Sequence, residues 1–337
     1  MQLYAGLDLH SRNTYIGIMD KEFKRFFGKR VSNDLPLILK TLDPFQDQLQ
    51  GLAVESTYNW YWLVDGLMDA GYQCIHLANP SAIKQYEGLK HSDDQHDSFF
   101  LALMLILGIL PQGYIYPRED RPVRDLARKR VFLVRHKTSH ILSLQSLITR
   151  CSGQRVKANE IKQLSAEDLQ HLLQEEHIVL SAQANLDSIR FFVQQIRRLE
   201  KAIKNKIKLK KEFQYLMTVP GIGTILAMTI MLEVGDISRF AKVGNFASYC
   251  RCVSSQRLSD GKSKGSGNRK NGNRYLSWAF IEAAHLSRRY NERFKSYYNR
   301  KIAQANTSLA TKALSNKLAR ICYYIMKNQV PFKEQMF

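Results

Sequence analysis

Apolar and polar positions alternate from the third residue onward, and the alternation predicts a series of strands. Leu3-Tyr4-Ala5-Gly6-Leu7-Asp8-Leu9-His10 reads as the first, with a carboxylate set into an apolar run. Thr14 to Asp20 repeats the period of two, and Ser11-Arg12-Asn13 suits a tight connection between them. A third strand is expected over Arg25 to Ser32, a fourth over Gly51 to Glu55 and a fifth over Tyr72 to Leu77. Between them, Asp34 to Leu49 and Tyr58 to Ala70 carry helical spacing, and Asn79-Pro80-Ser81 marks a further helix start. Phe99 to Leu110 is an apolar run that reads as a buried helix. Three antiparallel strands followed by helices alternating with two more strands is the element order of an α/β, RNase H-like fold.

The period then changes. Val123 to Thr149 and Ile189 to Lys211 lack Gly and Pro, are dense in Lys and Arg, and predict long amphipathic helices, a coiled-coil hairpin. From Leu216 a third, mainly α region begins with Val219-Pro220-Gly221-Ile222-Gly223 and an apolar helix to Glu233. Helices follow around Asn245 to Cys250, over Tyr275 to Tyr290 and over Leu309 to Lys327. The expected division is 1–118, 119–212 and 213–337.

Charge narrows the partners. The 337 residues carry 50 Lys+Arg against 30 Asp+Glu, a net +20, which points to a polyanion, with nucleic acid ahead of a membrane surface. No apolar run reaches the ~20 residues of a membrane span. The N-terminus enters a strand directly, so no signal peptide is expected. Five cysteines without metal-site spacing fit reduced thiols in a cytosolic protein.

Three groups of residues carry candidate chemistry. Asp8 and Glu55 stand on strands that an RNase H-like sheet would place side by side. Asp94 and Asp97, at i and i+3, share one face at the start of the apolar helix. Clustered carboxylates require cations, and two Mg²⁺ ions about 4 Å apart can clamp the attacking and leaving oxygens of a phosphodiester. Acids at a helix N-terminus can also serve as simple caps. His10 and His96 can orient phosphate or a ligand, but each reads better as a local hydrogen-bonding residue. Second, the turn holding Gly221 and Gly223 is like the hairpin of helix-hairpin-helix modules, whose amides hold a DNA phosphate; a tight turn before a buried helix is the alternative. Third, Ser254 to Lys262 is rich in hydroxyls, and Lys262, Lys264, Arg269, Lys270 and Arg274 follow in a glycine-rich basic loop. A serine there can attack a phosphodiester or merely bind phosphate.

Together these stretches resemble the insertion-sequence 110/1111 family of transposases, the DEDD recombinases. The pieces that carry the resemblance are GLDLHSRNTYIGIMD, VEST, KHSDDQHDS, LPQGYIYP, VPGIGTILAMTIMLEVGDISRF, SDGKSKG, KNGNRYL and KLARICYYIMKNQVPF, in family order. The resemblance implies an RuvC-like first domain, a helical linker and a C-terminal transposase domain. It implies a metal-binding tetrad at Asp8, Glu55, Asp94 and Asp97 and a nucleophile at Ser259, with Ser255 as the alternative. It further implies DNA strand exchange guided by a structured bridge RNA, with chains assembled as dimers and tetramers in the bacterial cytoplasm. Three positions depart from the pattern: Arg251-Cys252-Val253-Ser254 replaces Gly-Leu-Ala-Pro, Asp260 stands for a glycine, and Ser98 for an alanine. The competing expectations are an RuvC-like metal nuclease that uses water, and an inactive copy that only binds nucleic acid.

Overall fold

A computed structural model describes residues 1–83, 93–207, 210–253, 258–265 and 271–337. The chain divides into two compact units, Met1–Arg118 and Glu119–Phe337.

The first unit is built on a five-stranded mixed sheet. Its strands are β1 (Leu3–Leu9), β2 (Asn13–Asp20), β3 (Arg25–Ser32), β4 (Leu49–Glu55) and β5 (Ile75–Ala78), in the order β3-β2-β1-β4-β5. β1 is central: it pairs antiparallel with β2 and parallel with β4. This is the RNase H-like arrangement that the element order predicted. The period of two assigns the faces of β1. Leu3, Ala5, Leu7 and Leu9 join the apolar core with Ile38 and Leu42 of α1 (Leu35–Leu42) and Leu63, Val64 and Leu67 of α2 (Trp60–Asp69). Gly6 and Asp8 face the other way. There, beyond the short α3 (Pro80–Ile83), lies α4 (Asp94–Ile106). α4 crosses β1 so closely that a Cβ on Gly6 would stand 1.9 Å from the carbonyl oxygen of Ser98. Only glycine permits that approach.

Two elements are shorter than the pattern predicts. The helix expected to run to Leu49 stops at Leu42, and a 3₁₀ turn over Asp43–Gln48 follows. Pro44 lies just inside that turn; proline lacks the N–H and disfavours helix in the residue before it. The fifth strand begins at Ile75 rather than Tyr72, because Gly71 and Cys74 both take positive φ, 86° and 52°.

The second unit is helical. α5 (Arg121–Ser152) and α8 (Glu176–Ile207), each of 32 residues, run antiparallel. Arg130 meets Glu200 near one end, and His140 meets Asn185 further along. Their far ends enclose a small core with α6 (Ala158–Ile161) and α7 (Ala166–Leu173), built from residues such as Leu144, Ile148, Leu169 and Leu186. The larger core is formed by α9 (Lys211–Leu216), α10 (Thr224–Val234), α11 (Val243–Tyr249), α12 (Arg274–Tyr290), α13 (Glu292–Gln304) and α14 (Thr307–Asn328). Two short strands, β6 (Leu258–Ser259) and β7 (Lys262–Ser263), form a hairpin that the sequence pattern does not single out, nor does it single out α13. No helix among the described residues is long and apolar enough to cross a membrane.

Candidate metal and nucleic-acid sites

The parallel pairing of Leu7 with Val54 sets the register of β1 on β4, and one step further along the ladder Asp8 and Glu55 become neighbours. Both point to the face that α4 covers. The start of α4 is fixed by Asp93, whose carboxylate accepts a hydrogen bond from the His96 amide at 2.7 Å. The capping role expected as an alternative for Asp94 and Asp97 is thus taken by Asp93. That leaves Asp94, in the first turn, to reach toward the end of β1.

His10 stands between the two strand and helix acids. Its Nε2 lies 3.0 Å from Asp8 Oδ2 and 3.2 Å from Asp94 Oδ1. The other oxygen of Asp94, Oδ2, accepts a hydrogen bond from Arg30 of β3 at 2.7 Å. Asp8 is 2% exposed. Burial pushes its carboxyl above the usual range; the adjoining Glu55 and His10 pull it down, and the charges of Asp97 and Asp94 push it up again. The other three acids of the expected tetrad therefore act on the buried carboxylate of Asp8. Among the described residues, no donor is aligned for a hydrogen bond with Asp8 Oδ2.

A buried carboxylate oxygen without a donor, surrounded by further acids, has the chemistry of a cation ligand. Asp8, His10 and Asp94 offer one donor atom each, all within 4.8 Å of one another. The residues fit a divalent ion. His10 is the member that sequence reasoning ranked first as a local hydrogen-bonding residue: the signal for more was its place two residues beyond Asp8, on the same face at the strand's end.

The turn at Val219-Pro220-Gly221-Ile222 is closed by the Ile222 amide donating to the Val219 carbonyl at 2.9 Å. Proline in second place and Gly221 at φ 88° in third are the demands of a type II turn. A Cβ on Gly221 would lie 2.4 Å from the backbone nitrogen of Ser287, so packing against α12 accounts for this glycine. Gly223, at the N-cap of α10, has open space around it.

Ser259 is exposed and pairs with Lys262 across the β6–β7 hairpin. Asp260 and Gly261, between them, have φ of 52° and 68°. Positive φ at both central residues is what a type I′ hairpin turn requires, and Asp-Gly is a favoured pair for it. Asp260 thus serves where glycine would, and Leu258 to Ser263 form a defined hairpin. Lys262 and Lys264 are exposed beside it. Arg274 begins α12 and donates to the Tyr275 hydroxyl at 3.0 Å. Ser255, Arg269 and Lys270 lie outside the described residues.

The base of this loop is clamped. Arg251 donates to the Gly272 carbonyl at 2.8 Å, and the Asn273 amide donates to the Tyr249 carbonyl at 2.6 Å. Asn273 also caps α12 and donates at 2.8 Å to Glu233, a buried acid of α10. Arg128 grips both oxygens of Glu233 at 2.6 and 2.9 Å, and Arg124 adds a contact at 3.1 Å.

A DEDD transposase model of the IS110 type matches residues 5–152, and a model described as the transposase IS116/IS110/IS902 family matches residues 213–299. The chain belongs to the IS110/IS116 family of transposases. It is 24% identical to the transposase for insertion sequence element IS1328 of Yersinia enterocolitica over 98% of both chains. It is also 23% identical to a probable family 20 transposase of Pseudomonas aeruginosa, over 84% of this chain and 85% of that one. As a member of this family it is a DNA transposase, and its first matched region contains Asp8, Glu55, Asp94 and Asp97.

Proposed function

We propose that this transposase cuts and rejoins DNA at the ends of an insertion sequence through Ser259, assisted by Mg²⁺ held at Asp8, Glu55, Asp94 and Asp97. The observation that carries the reading is the buried Oδ2 of Asp8, which lacks an aligned donor yet has three further acids acting on its carboxyl. The bound ions would supply Lewis acidity to the phosphate oxygens and offset charge that develops in phosphoryl transfer. Attack by the Ser259 hydroxyl exchanges one ester for another. An Oγ–phosphorus bond forms, the bond from phosphorus to one sugar oxygen breaks, and that sugar leaves as a hydroxyl after taking up a proton. The reverse attack by a sugar hydroxyl rejoins the DNA and frees the serine.

Lys262, Lys264, Arg269, Lys270 and Arg274 would hold backbone phosphate beside the nucleophile, and the open N-terminus of α10 at Gly223 offers amides to another. Gly221 would support that turn. The basic α5–α8 pair is suited to a structured guide RNA, the bridge RNA expected from the family resemblance, or to a second protomer. On this reading the active form is a dimer or tetramer working on DNA in the bacterial cytoplasm.

The test is a denaturing gel of labelled element-junction DNA with the protein, Mg²⁺ and the RNA encoded beside the element. A protease-sensitive protein–DNA adduct, lost in both Ser259→Ala and Asp94→Ala, is expected. Cut ends that persist in Ser259→Ala without an adduct would establish a water-using nuclease instead. Binding without cleavage would mark an inactive copy.

A further inference from the structure

We infer, building on the carboxylate site proposed above, that His10 is itself a metal ligand, and that this site takes Mn²⁺ or another first-row transition ion in preference to Mg²⁺. Ligand-edge geometry carries the case. Donors about 2.1 Å from an octahedral cation lie about 3.0 Å apart when adjacent. The two separations from His10 Nε2, 3.0 Å to Asp8 Oδ2 and 3.2 Å to Asp94 Oδ1, match such edges. A hydrogen bond at the same distance would aim the ring N–H at the oxygen. Asp8 Oδ2 has no aligned donor, although His10 is this close. Two atoms that lie side by side without pointing at each other are placed as ligands of a common centre are placed.

The surroundings hold this arrangement. His10 has a side chain 44% exposed, yet its backbone is fixed from three directions. Its amide donates to the Asn13 carbonyl at 2.9 Å, and its own carbonyl accepts from Asn33 at 2.9 Å and from Asn59 at 3.1 Å. Asp94 is likewise oriented from outside. Arg30 occupies Oδ2, which leaves Oδ1 turned toward His10 and Asp8. Outer contacts of this kind set the direction of a ligand and are half of what makes a metal site. The donor set then decides the metal. Oxygen ligands suit Mg²⁺, whereas an imidazole favours later ions of the first transition row. Among the tetrad's neighbours, His10 brings this nitrogen, and the carboxylates alone would not.

The experiment is Mn²⁺ binding to the full chain, followed by pulsed electron paramagnetic resonance. The expected spectrum shows coupling to a directly bound nitrogen, and the coupling changes isotope when histidine is labelled with ¹⁵N. His10→Ala loses that coupling and binds Mn²⁺ about 10- to 100-fold more weakly, the range seen when even the supporting contacts of a ligand are removed. Its preference for Mn²⁺ over Mg²⁺ narrows accordingly. His96→Ala keeps the signal. Saturable Mn²⁺ binding that needs Asp94 but shows no nitrogen coupling in the parent would overturn His10 as a ligand and leave the carboxylate site standing. Mn²⁺ that fails to bind the parent would overturn both. The parent spectrum decides the matter even if His10→Ala fails to fold.

Discussion

Two carboxylates in this protein are almost equally buried, and they could hardly be treated more differently. Glu233, 1% exposed, receives Arg128, Arg124 and Asn273. Asp8, 2% exposed, receives three more acids and a histidine, and one of its oxygens lacks an aligned donor among the described residues. Burial raises the cost of charge on both. At Glu233 the two guanidiniums and the Asn273 amide outweigh it and hold the carboxyl below its usual range. At Asp8 burial wins, and the carboxyl is held above its own. The first group is complete as it stands and ties α5 to α10 and α12. The second has the make-up of a cation site. The first is an internal strut, and the second is the candidate site.

The sharpest break of this comparison is at the strut. Glu233→Ala strands two guanidiniums and an amide around an empty space, and breaking a buried pair in this way costs about 3–5 kcal/mol. Urea unfolding of the variant should show that loss, and a change under about 1 kcal/mol would mean the group is not the buried strut described. Divalent cations give the next largest effect. A ligand at a hundred times its dissociation constant stabilises the folded state by about 2.7 kcal/mol. The parent should gain stability with Mn²⁺ or Mg²⁺, whereas Asp8→Asn should not. Without metal, Asp8→Asn should be neutral or more stable by about 1 kcal/mol, since it relieves a buried, unbalanced charge. A large loss of stability in Asp8→Asn under chelator would show that Asp8 is structural after all.

In the sequence these two acids look alike: each is a single carboxylate in an apolar run. Asp8 stood out as a candidate because its strand opened a recognisable order and because Glu55, Asp94 and Asp97 stood at matching places. Glu233 passed as the end of a buried helix, since its partners Arg124, Arg128 and Asn273 come from segments about 40 and 105 to 109 residues away, and no local period links them. His10 was ranked low for a related reason. Its backbone pattern fitted an ordinary strand end, and its nearness to Asp94 depends on how α4 is laid across β1. That crossing is legible only in part, through Gly6, whose need appears when Ser98 is seen against it. Strands were easier than loops because alternation is a local signal. The Asp-Gly of the Ser259 hairpin was in view as a departure from a motif, and only its positive φ values show it to be turn chemistry.

The smallest effects are in the pH dependence, and there the two carboxylates should move in opposite directions. A group whose folded pKa is depressed contributes stability that is full above its unfolded value and is lost as pH falls through the folded one. For Glu233 the loss begins below about pH 4.5, its ordinary value. Asp8 has a raised pKa, so its folded form takes up a proton at a pH where the unfolded chain is still ionised. Its burden is full above the folded pKa and is relieved as pH falls toward 3.8, its ordinary value. Stability measured between pH 3 and 7 under chelator, parent minus Glu233→Gln and parent minus Asp8→Asn, should give difference curves of opposite slope. Saturating divalent cation should reverse the Asp8 slope and leave that of Glu233 untouched, because a metal ion does for Asp8 what Arg124 and Arg128 already do for Glu233. Two curves of the same sign under chelator would mean that Asp8 is satisfied by protein groups alone, and the reason for placing a cation there would go with it.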